Sequence, residues 1–308
     1  MMIIYFASFL LTLFYVGLIA YYGYGWYRTR PFQPFTERAN FSKTVSVLIP
    51  VRNEEASIQA TIHDILKQEY LNDGMEVIVV DDFSSDRTRQ YLEQIPDKRL
   101  RVFAMRDFFN ENQLASPKKE ALALAVSKAK GELIVTTDGD CRMGPHWLST
   151  IVRFFEHYQP KLIAGPVVYQ RSDSFLNAFQ SLDLLSMMGI TCASVANGLP
   201  VMCNGANLAF EKSAYDKVGG YSNNTYTATG DDVFLMLKVQ NKYPGGVKFL
   251  KAREAVVTTE PQPTYWALFQ QRKRWGVVFV SRSHYYRSFT RSVRSFFHVT
   301  CWGWGIIA

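Results

Sequence analysis

Acidic residues are absent from the end of this 308-residue chain. None follows Glu260, whereas Arg272, Lys273, Arg274, Arg282, Arg287, Arg291 and Arg294 do. Without those seven the chain balances, 27 basic residues against 27 acidic. The net charge of +7 therefore belongs to one segment. That excludes a diffusely basic nucleic-acid coat and points to a local anionic partner, either phosphates or lipid headgroups. Cysteine is scarce: Cys141, Cys192, Cys203 and Cys301 form no CxxC pair. This excludes a dense disulfide framework and fits a reducing compartment. The five histidines have no HExxH or paired-ligand spacing, so a zinc site is not expected. No GxGxxG and no GxxxxGK[ST] occurs, which sets aside ordinary dinucleotide-binding and P-loop folds. No internal repeat or low-complexity linker is visible. What is present is apolar material, 48% against 20% charged residues, which excludes a disordered chain. The length allows one large domain or two small ones.

Charge is also missing from Met1 to Tyr27, where Ile3–Tyr22 is an almost unbroken apolar and aromatic run. A bilayer core needs about 20 such residues as a helix. A cleaved signal peptide would carry a positive start and a small-residue cleavage site, and neither is seen. The expectation is a transmembrane helix over 1–27. Arg28, Arg30, Arg38 and Lys43 follow it against one acid, Glu37, in a basic linker over 28–43. The positive-inside rule then places the N-terminus outside and the remainder in the cytoplasm, as an integral protein of the plasma (inner) membrane. A domain over 44–260 follows, then a basic interfacial segment over 261–295. Phe296–Ala308 is apolar and tryptophan-rich but too short to span. It is expected to begin a second transmembrane helix, with the natural protein continuing; the plainer reading is an interfacial aromatic tail.

Between these ends, strand and helix patterns alternate. Val45–Val51, Glu76–Val80, Leu100–Met105, Glu132–Thr137 and Leu162–Val168 read as buried strands. Helices are expected after Asn53, after Ser84–Ser85, from Ser116-Pro117 to a closing Gly131, and from Pro145 to about Tyr158. This is an α/β chain with a mostly parallel sheet and helices on both faces. Ligands in such sheets bind beyond the carboxyl ends of strands.

Four constellations carry potential chemistry. Asp138 and Asp140 follow a strand at i and i+2; two such carboxylates either hold a hard divalent cation or form a polar turn. Asp81 and Asp82 end another strand and either accept hydrogen bonds from a nucleobase or ribose, or cap a helix. Asp231 and Asp232 open an apolar helix, as N-cap and dipole contacts or as a general base. Gln271-Arg272-Lys273-Arg274-Trp275 either clamps a diphosphate and stacks on a sugar, or rests on anionic lipid.

In order and spacing, residues Val45 to Trp275 resemble the family 2 glycosyltransferases of GT-A fold. They resemble most the membrane-embedded branch of cellulose, hyaluronan and poly-N-acetylglucosamine synthases and ceramide glucosyltransferase. The resemblance rests on VSVLIPVRNEE (45–55), VIVVDDFSSD (77–86), PKKEAL (117–122), TTDGDC (136–141), NGANLAF (204–210), GDD (230–232) and QRKRW (271–275). It implies Pro50, Arg52 and Glu54 near the base and ribose, Asp82 or Asp81 at the base, and Lys118 near the nucleotide. It makes Asp140, with Asp138, the ligands of Mg²⁺ or Mn²⁺, and Asp138 a positioner of the nucleotide-sugar. Asp232, beside Asp231, becomes the general base, Asn207 lies at the acceptor, and Gln271, Arg274 and Trp275 contact diphosphate and acceptor. The implied reaction is inverting transfer from a nucleotide-sugar, a UDP-sugar, to a hydroxyl acceptor at the cytoplasmic membrane face.

The expected product is a β-linked cell-surface polysaccharide; transfer of one sugar to a lipid, or a non-catalytic nucleotide-binding scaffold, are the alternatives. Membrane lipids are expected partners and nucleic acid is not; protein partners are not legible. Two features depart from the family pattern. Phe83 stands where many members have glycine, and GDD replaces TED. Asp173–Ile190 carries Phe175, Phe179, Leu182, Leu185 and Met188 at helical spacing, either as core or as an amphipathic helix on the membrane surface; Thr264–Phe269 is read likewise.

Overall fold

The computed structural model describes residues 1–33, 43–70, 74–114, 116–221 and 230–287, the last stretch by backbone alone from 277. Arg38, Arg291, Arg294 and the apolar end Phe296–Ala308 lie outside the described residues. Helix α1 (Met2–Arg28) is 27 residues long and carries no polar stripe, because nearly every position is apolar. At about 1.5 Å per residue it is about 40 Å long, enough to cross a bilayer core.

The α/β part runs β1 (Val45–Val51), α2 (Ile58–Leu66), β2 (Met75–Asp81), α3 (Thr88–Glu93), β3 (Leu100–Ala104), α4 (Pro117–Lys128) and β4 (Leu133–Thr136). It continues through β5 (Arg142–Met143), α5 (Trp147–Tyr158), β6 (Leu162–Ala164), β7 (Val167–Tyr169) and α6 (Phe175–Ala196). Then come β8 (Leu208–Glu211), α7 (Lys212–Lys217), α8 (Asp231–Lys242), β9 (Val247–Phe249), β10 (Val257–Thr259) and α9 (Tyr265–Arg287). The main sheet has the order β3-β2-β1-β4-β8-β6-β9, and a small second sheet has β5-β10-β7. In the main sheet β8 is antiparallel to both neighbours and every other pairing is parallel.

Strand periodicity divides the core. Val45, Val47 and Ile49 pack with Ile58, Ile62 and Ile65 of α2 and with Trp147 and Ile151 of α5. Leu48, Ile78 and Val80 pack on the other face against Ala121 and Ala125 of α4 and Leu235 and Met236 of α8. Because successive side chains of a strand point to opposite faces, a sheet covered on both sides reads as a continuous apolar run.

Several local expectations are corrected. The single strand over Leu162–Val168 is two strands in different sheets, parted at Gly165-Pro166. A Cβ on Gly165 would lie 2.4 Å from the Asn207 amide, so this corner needs glycine. The helix expected from Asn53 starts at Ile58, because Asn53 sits at φ 57 and its Oδ1 accepts the Ser85 N–H at 2.9 Å. The next helix starts at Thr88, whose N–H bonds Asp86 Oδ1 at 3.0 Å, rather than at Ser84–Ser85. Gly131 does not close α4, which ends at Lys128; it lets β4 start against β1. A Cβ on Gly131 would stand 2.5 Å from the Ser46 backbone nitrogen.

Helix α6 is also long and apolar enough to cross a membrane, but nearly half of it is buried against the domain. Phe175, Phe179, Leu182 and Leu185 are exposed, whereas Met188, expected in the same stripe, is 7% exposed and belongs to the core. Gly25 lets α1 close on α6, where a Cβ would lie 2.4 Å from the Ala193 carbonyl oxygen. Asn197 Nδ2 donates to the Tyr21 carbonyl at 2.9 Å across the same contact.

Gly131→Ala should lower stability by about 2–3 kcal/mol, since β1 backbone rather than a flexible side chain must yield. Denaturant unfolding of the detergent-solubilised protein, followed by tryptophan emission, measures it. An unchanged midpoint would show that the two strands can part without cost.

Candidate active site

The carboxyl ends of β1, β2 and β4 lie side by side, with Val51 opposite Asp81 and Leu48 opposite Thr136. Two loops leaving this edge are laced together. The Asn53 N–H donates to Ser84 Oγ at 3.0 Å, Glu54 N–H to Thr88 Oγ1 at 2.8 Å and Glu55 N–H to Asp86 Oδ2 at 3.1 Å. Phe83 keeps the left-handed backbone that glycine would adopt there, at φ 54. Pro50 is buried within β1, and Arg52 pairs with Glu111 at 2.8 Å.

Asp81 is fully buried; its Oδ1 accepts the Ser84 N–H, and its Oδ2 lies 3.9 Å from Arg106 without a hydrogen bond. Asp82 also holds a buried oxygen, Oδ1, with no hydrogen-bond partner among the described residues. Burial pushes the Asp82 carboxyl up, and the Arg52 guanidinium pulls it back. Buried acceptors left unpaired at the end of parallel strands are suited to a ligand's donors.

The turn Asp138-Gly139-Asp140 is clamped from behind. Thr61 Oγ1 donates to the Gly139 carbonyl at 2.8 Å, and a Cβ on Gly139 would meet Val51 Cγ1 at 2.9 Å and Glu54 Cγ at 3.1 Å. Asp138 accepts from Lys118 Nζ at 2.7 Å, and Asp140 from the Thr259 hydroxyl of β10 at 2.9 Å. Asp232 opens α8, where its Oδ1 accepts the Val233 N–H at 2.8 Å and its Oδ2 the Gly205 N–H at 2.9 Å.

The electrostatics tie these groups into one site. The Asp138 carboxylate, assisted by Asp232 and Asp140, holds the Lys118 ammonium well above the ordinary lysine range. Burial pushes Glu54 up to about 7, with Asp140 and Asp138 adding to it. Burial and the Asp232 charge push Asp231 up to about 6. Burial raises Asp232 too, while the two backbone N–H groups and Lys118 oppose the rise. No group of three or more His, Cys, Asp or Glu among the described residues makes a metal cage. The donors on offer, Asp138 and Asp140, are carboxylate oxygens alone. That set fits a hard ion such as Mg²⁺ or Mn²⁺ that takes its other ligands from water and substrate phosphates.

Asn207 is 2% exposed, its Oδ1 accepts the Trp147 indole N–H at 3.1 Å, and its Nδ2 donates to the Pro166 and Ala255 carbonyls, both at 2.8 Å. With both ends of its amide engaged, this side chain frames the site. In the basic cluster Gln271 Oε1 accepts from the Tyr169 hydroxyl at 3.4 Å and from Arg272 at 2.9 Å. Arg272, expected within the cluster that clamps a diphosphate, pairs with Asp183 of α6 and lies 4.2 Å over the Trp275 ring. The signal for this pairing was Asp183, the one charge in the apolar α6 sequence. Arg274 is exposed on the same helix. Thr259, which the sequence reading missed, left no signal.

A mostly parallel sheet with one antiparallel strand, and paired carboxylates at the strand ends, define a GT-A-type protein. The structure is similar to a mannosyltransferase from Pyrobaculum calidifontis, solved with GDP-Man and Mn2+, at TM-score 0.67 and 20% identity over 92% of this chain and 76% of that one. The family model for glycosyl transferase family 2 matches residues 46–219, and that for glycosyl transferase family group 2 matches 133–308. The chain belongs to glycosyl transferase family 2. It is 25% identical to the probable glycosyltransferase YdaM of Bacillus subtilis, over 75% of this chain and 54% of that protein. It is equally 25% identical to a beta-monoglucosyldiacylglycerol synthase of Trichormus variabilis, over 75% of this chain and 48% of that one. The chain thus spans about half the length of these curated relatives.

Asn207→Asp would turn a carboxylate toward two carbonyl oxygens. It should destabilise the substrate-free protein by about 2–4 kcal/mol, read as a lowered melting temperature. A variant that melts normally and loses only acceptor affinity would support the acceptor role instead.

Proposed function

We propose that this chain carries the catalytic unit of a membrane-bound, inverting glycosyltransferase, which moves a sugar from a nucleoside-diphosphate donor to a lipid hydroxyl. The observation that carries the reading is the convergence of Lys118, Asp138 and Asp232 from three separate segments. It couples a nucleotide-side carboxylate to a half-buried candidate base through one ammonium.

In this reading the unpaired oxygens of Asp81 and Asp82 receive donors of the nucleoside. Asp138 and Asp140 hold Mg²⁺ or Mn²⁺ with the donor's diphosphate; the bound ion would neutralise charge on that leaving group. Lys118 is the chain's own cation for the same purpose. Asp232 takes the acceptor hydroxyl proton as the oxygen bonds to the anomeric carbon and the carbon–phosphate-oxygen bond breaks on the opposite face. A single displacement of this kind inverts the centre. Desolvation makes Asp232 a stronger base than a free aspartate, and the fixed N–H groups of Gly205 and Val233 orient it.

A lipid acceptor is supported by the monoglucosyldiacylglycerol synthase likeness and by the apolar surface of α6 and of Tyr265, Trp266 and Phe269 on α9. We read those faces, with α1, as the membrane-bound side of the protein. A polysaccharide product is the second reading, favoured by the half-buried Trp275 one turn along α9 from Gln271.

Membranes bearing the full chain, offered labelled nucleotide-sugars with Mn²⁺ or Mg²⁺, should move label into the organic-extractable fraction. Label in polymer alone would reverse the order of the two readings, and no turnover of any donor would remove both. Asp232→Asn should lower kcat by about 10²–10⁴ while nucleotide binding stays within about twofold. Unchanged kcat would exclude Asp232 as the base.

The pH profile offers a separate check. The base works deprotonated, so the rate should rise with pH through a value above that of an ordinary aspartate. Asp231→Asn removes a neighbouring negative charge, and the acid limb should shift to lower pH. A limb that stays in place would uncouple the two carboxylates.

A further inference from the structure

Away from the carboxylate cluster, a cavity of about 360 Å³ opens where α1 leaves off. Trp26, Phe32, Val167, Met188, Gly189 and Phe249 contribute to its lining. The size lies within the range of roughly 300–1,000 Å³ usual for ligand sites. Its charged lining residues are Lys251 and Arg253 against Glu254, a positive balance in an otherwise apolar slot. Lys251 is anchored: its Nζ donates to the Trp26 and Thr29 carbonyls at 3.3 and 3.1 Å and lies 3.7 Å over the Trp26 ring. An ammonium has three donors, so one remains. Arg253 is exposed, and Arg28 and Arg30 sit close by in sequence to the same helix end.

Gly189 is the second observation. It lies inside α6, where glycine costs roughly 0.5–1 kcal/mol relative to alanine. Gly25 and Gly165 have a reason, since a Cβ there would strike a neighbour at 2.4 Å. At Gly189 a Cβ would meet nothing within 4 Å. Gly189 lines the cavity, so its missing side chain leaves that part of the slot open.

We infer that this cavity seats one acyl chain of an anionic phospholipid, its phosphate held at the rim by Lys251 and Arg253. The inference rests on α1 being membrane-bound, as proposed above. The apolar slot suits the tail, the positive rim suits the phosphate, and the position at the end of α1 puts both at headgroup depth. The site is distinct from the carboxylate cluster, but Asn207 joins them. Its amide holds the carbonyls of Pro166 and Ala255, and Pro166 lines the cavity while Ala255 lies between the lining residues Glu254 and Val256. The seated lipid therefore braces the frame from which Gly205 reaches Asp232.

The test uses the full chain in phosphatidylcholine nanodiscs doped with phosphatidylglycerol bearing a diazirine on its acyl chain. After illumination, labelled peptides are mapped by mass spectrometry. Label is expected on the segment 249–256 as well as on α1. Gly189→Leu, which projects into the cavity from a position where a Cβ meets nothing within 4 Å, should cut the 249–256 label by about tenfold, leaving α1 labelling and melting temperature intact or raised. Arg253→Gln should reduce the preference for phosphatidylglycerol over diazirine phosphatidylcholine. Label confined to α1, or a 249–256 label untouched by Gly189→Leu, would overturn the inference while sparing the membrane reading. Equal labelling by both lipids, or displacement by inorganic phosphate alone, would overturn its headgroup part. Absence of label on α1 would instead remove the membrane reading on which it stands.

Discussion

The Lys118 ammonium makes it possible for this site to exist. Asp138, Asp140, Asp231, Asp232 and Glu54 arrive from three parts of the chain and are partly or wholly withdrawn from water. Two like charges about 4 Å apart repel by about 4 kcal/mol at an effective dielectric constant near 20. A folded domain with marginal stability cannot absorb several such terms. One lysine at the start of α4, bonded to Asp138 and within the field of Asp140 and Asp232, relieves part of the repulsion. Burial first, and the neighbouring carboxylates after it, leave Glu54 at about 7 and Asp231 at about 6. The cluster is built with more negative charge than the protein itself compensates, which is a reason for a cationic component to arrive with substrate.

The same cluster needs a frame, because loops bearing like charges drift apart unless tied. The ties are neutral and buried. Backbone N–H groups of the β1–α2 loop bond side chains of the β2–α3 loop, Thr61 holds the Gly139 carbonyl, and the Asn207 amide joins α5 to two turns. Strand β8 matters here more than its four residues imply. By inserting antiparallel between β4 and β6 it brings Gly205 to Asp232 across the carboxyl end of β4.

Legibility followed locality. Val45–Val51 and Met75–Asp81 were visible as continuous apolar runs because both their faces are covered. The acids were visible because charge directly after such a run is costly without purpose. Gly165-Pro166 was not recognised as a switch between sheets, since strand pairing is nonlocal and the apolar pattern runs through it. Asn207 read as a polar residue near an acceptor, because a buried polar strut and an exposed polar ligand look alike until partners are known. Asn53 and Ser84–Ser85 read as helix caps for the same reason: their side chains do satisfy backbone groups, but each other's loop rather than their own helix.

Helix α6 ties α1 to the site. On one edge it takes α1 through Gly25 and Asn197; on another, Gln180 exchanges hydrogen bonds with the backbone of Gln262, and Asp183 takes Arg272. One helix thus contacts both α1 and the basic cluster. This also revises the meaning of the charged segment. Arg272 is already neutralised by Asp183 and stacked on Trp275, so its charge is not offered to a diphosphate. The pair ties α9 to α6 instead. A block of like charge in a sequence counts cations; for Arg272, the acid placed 89 residues upstream decides its partner.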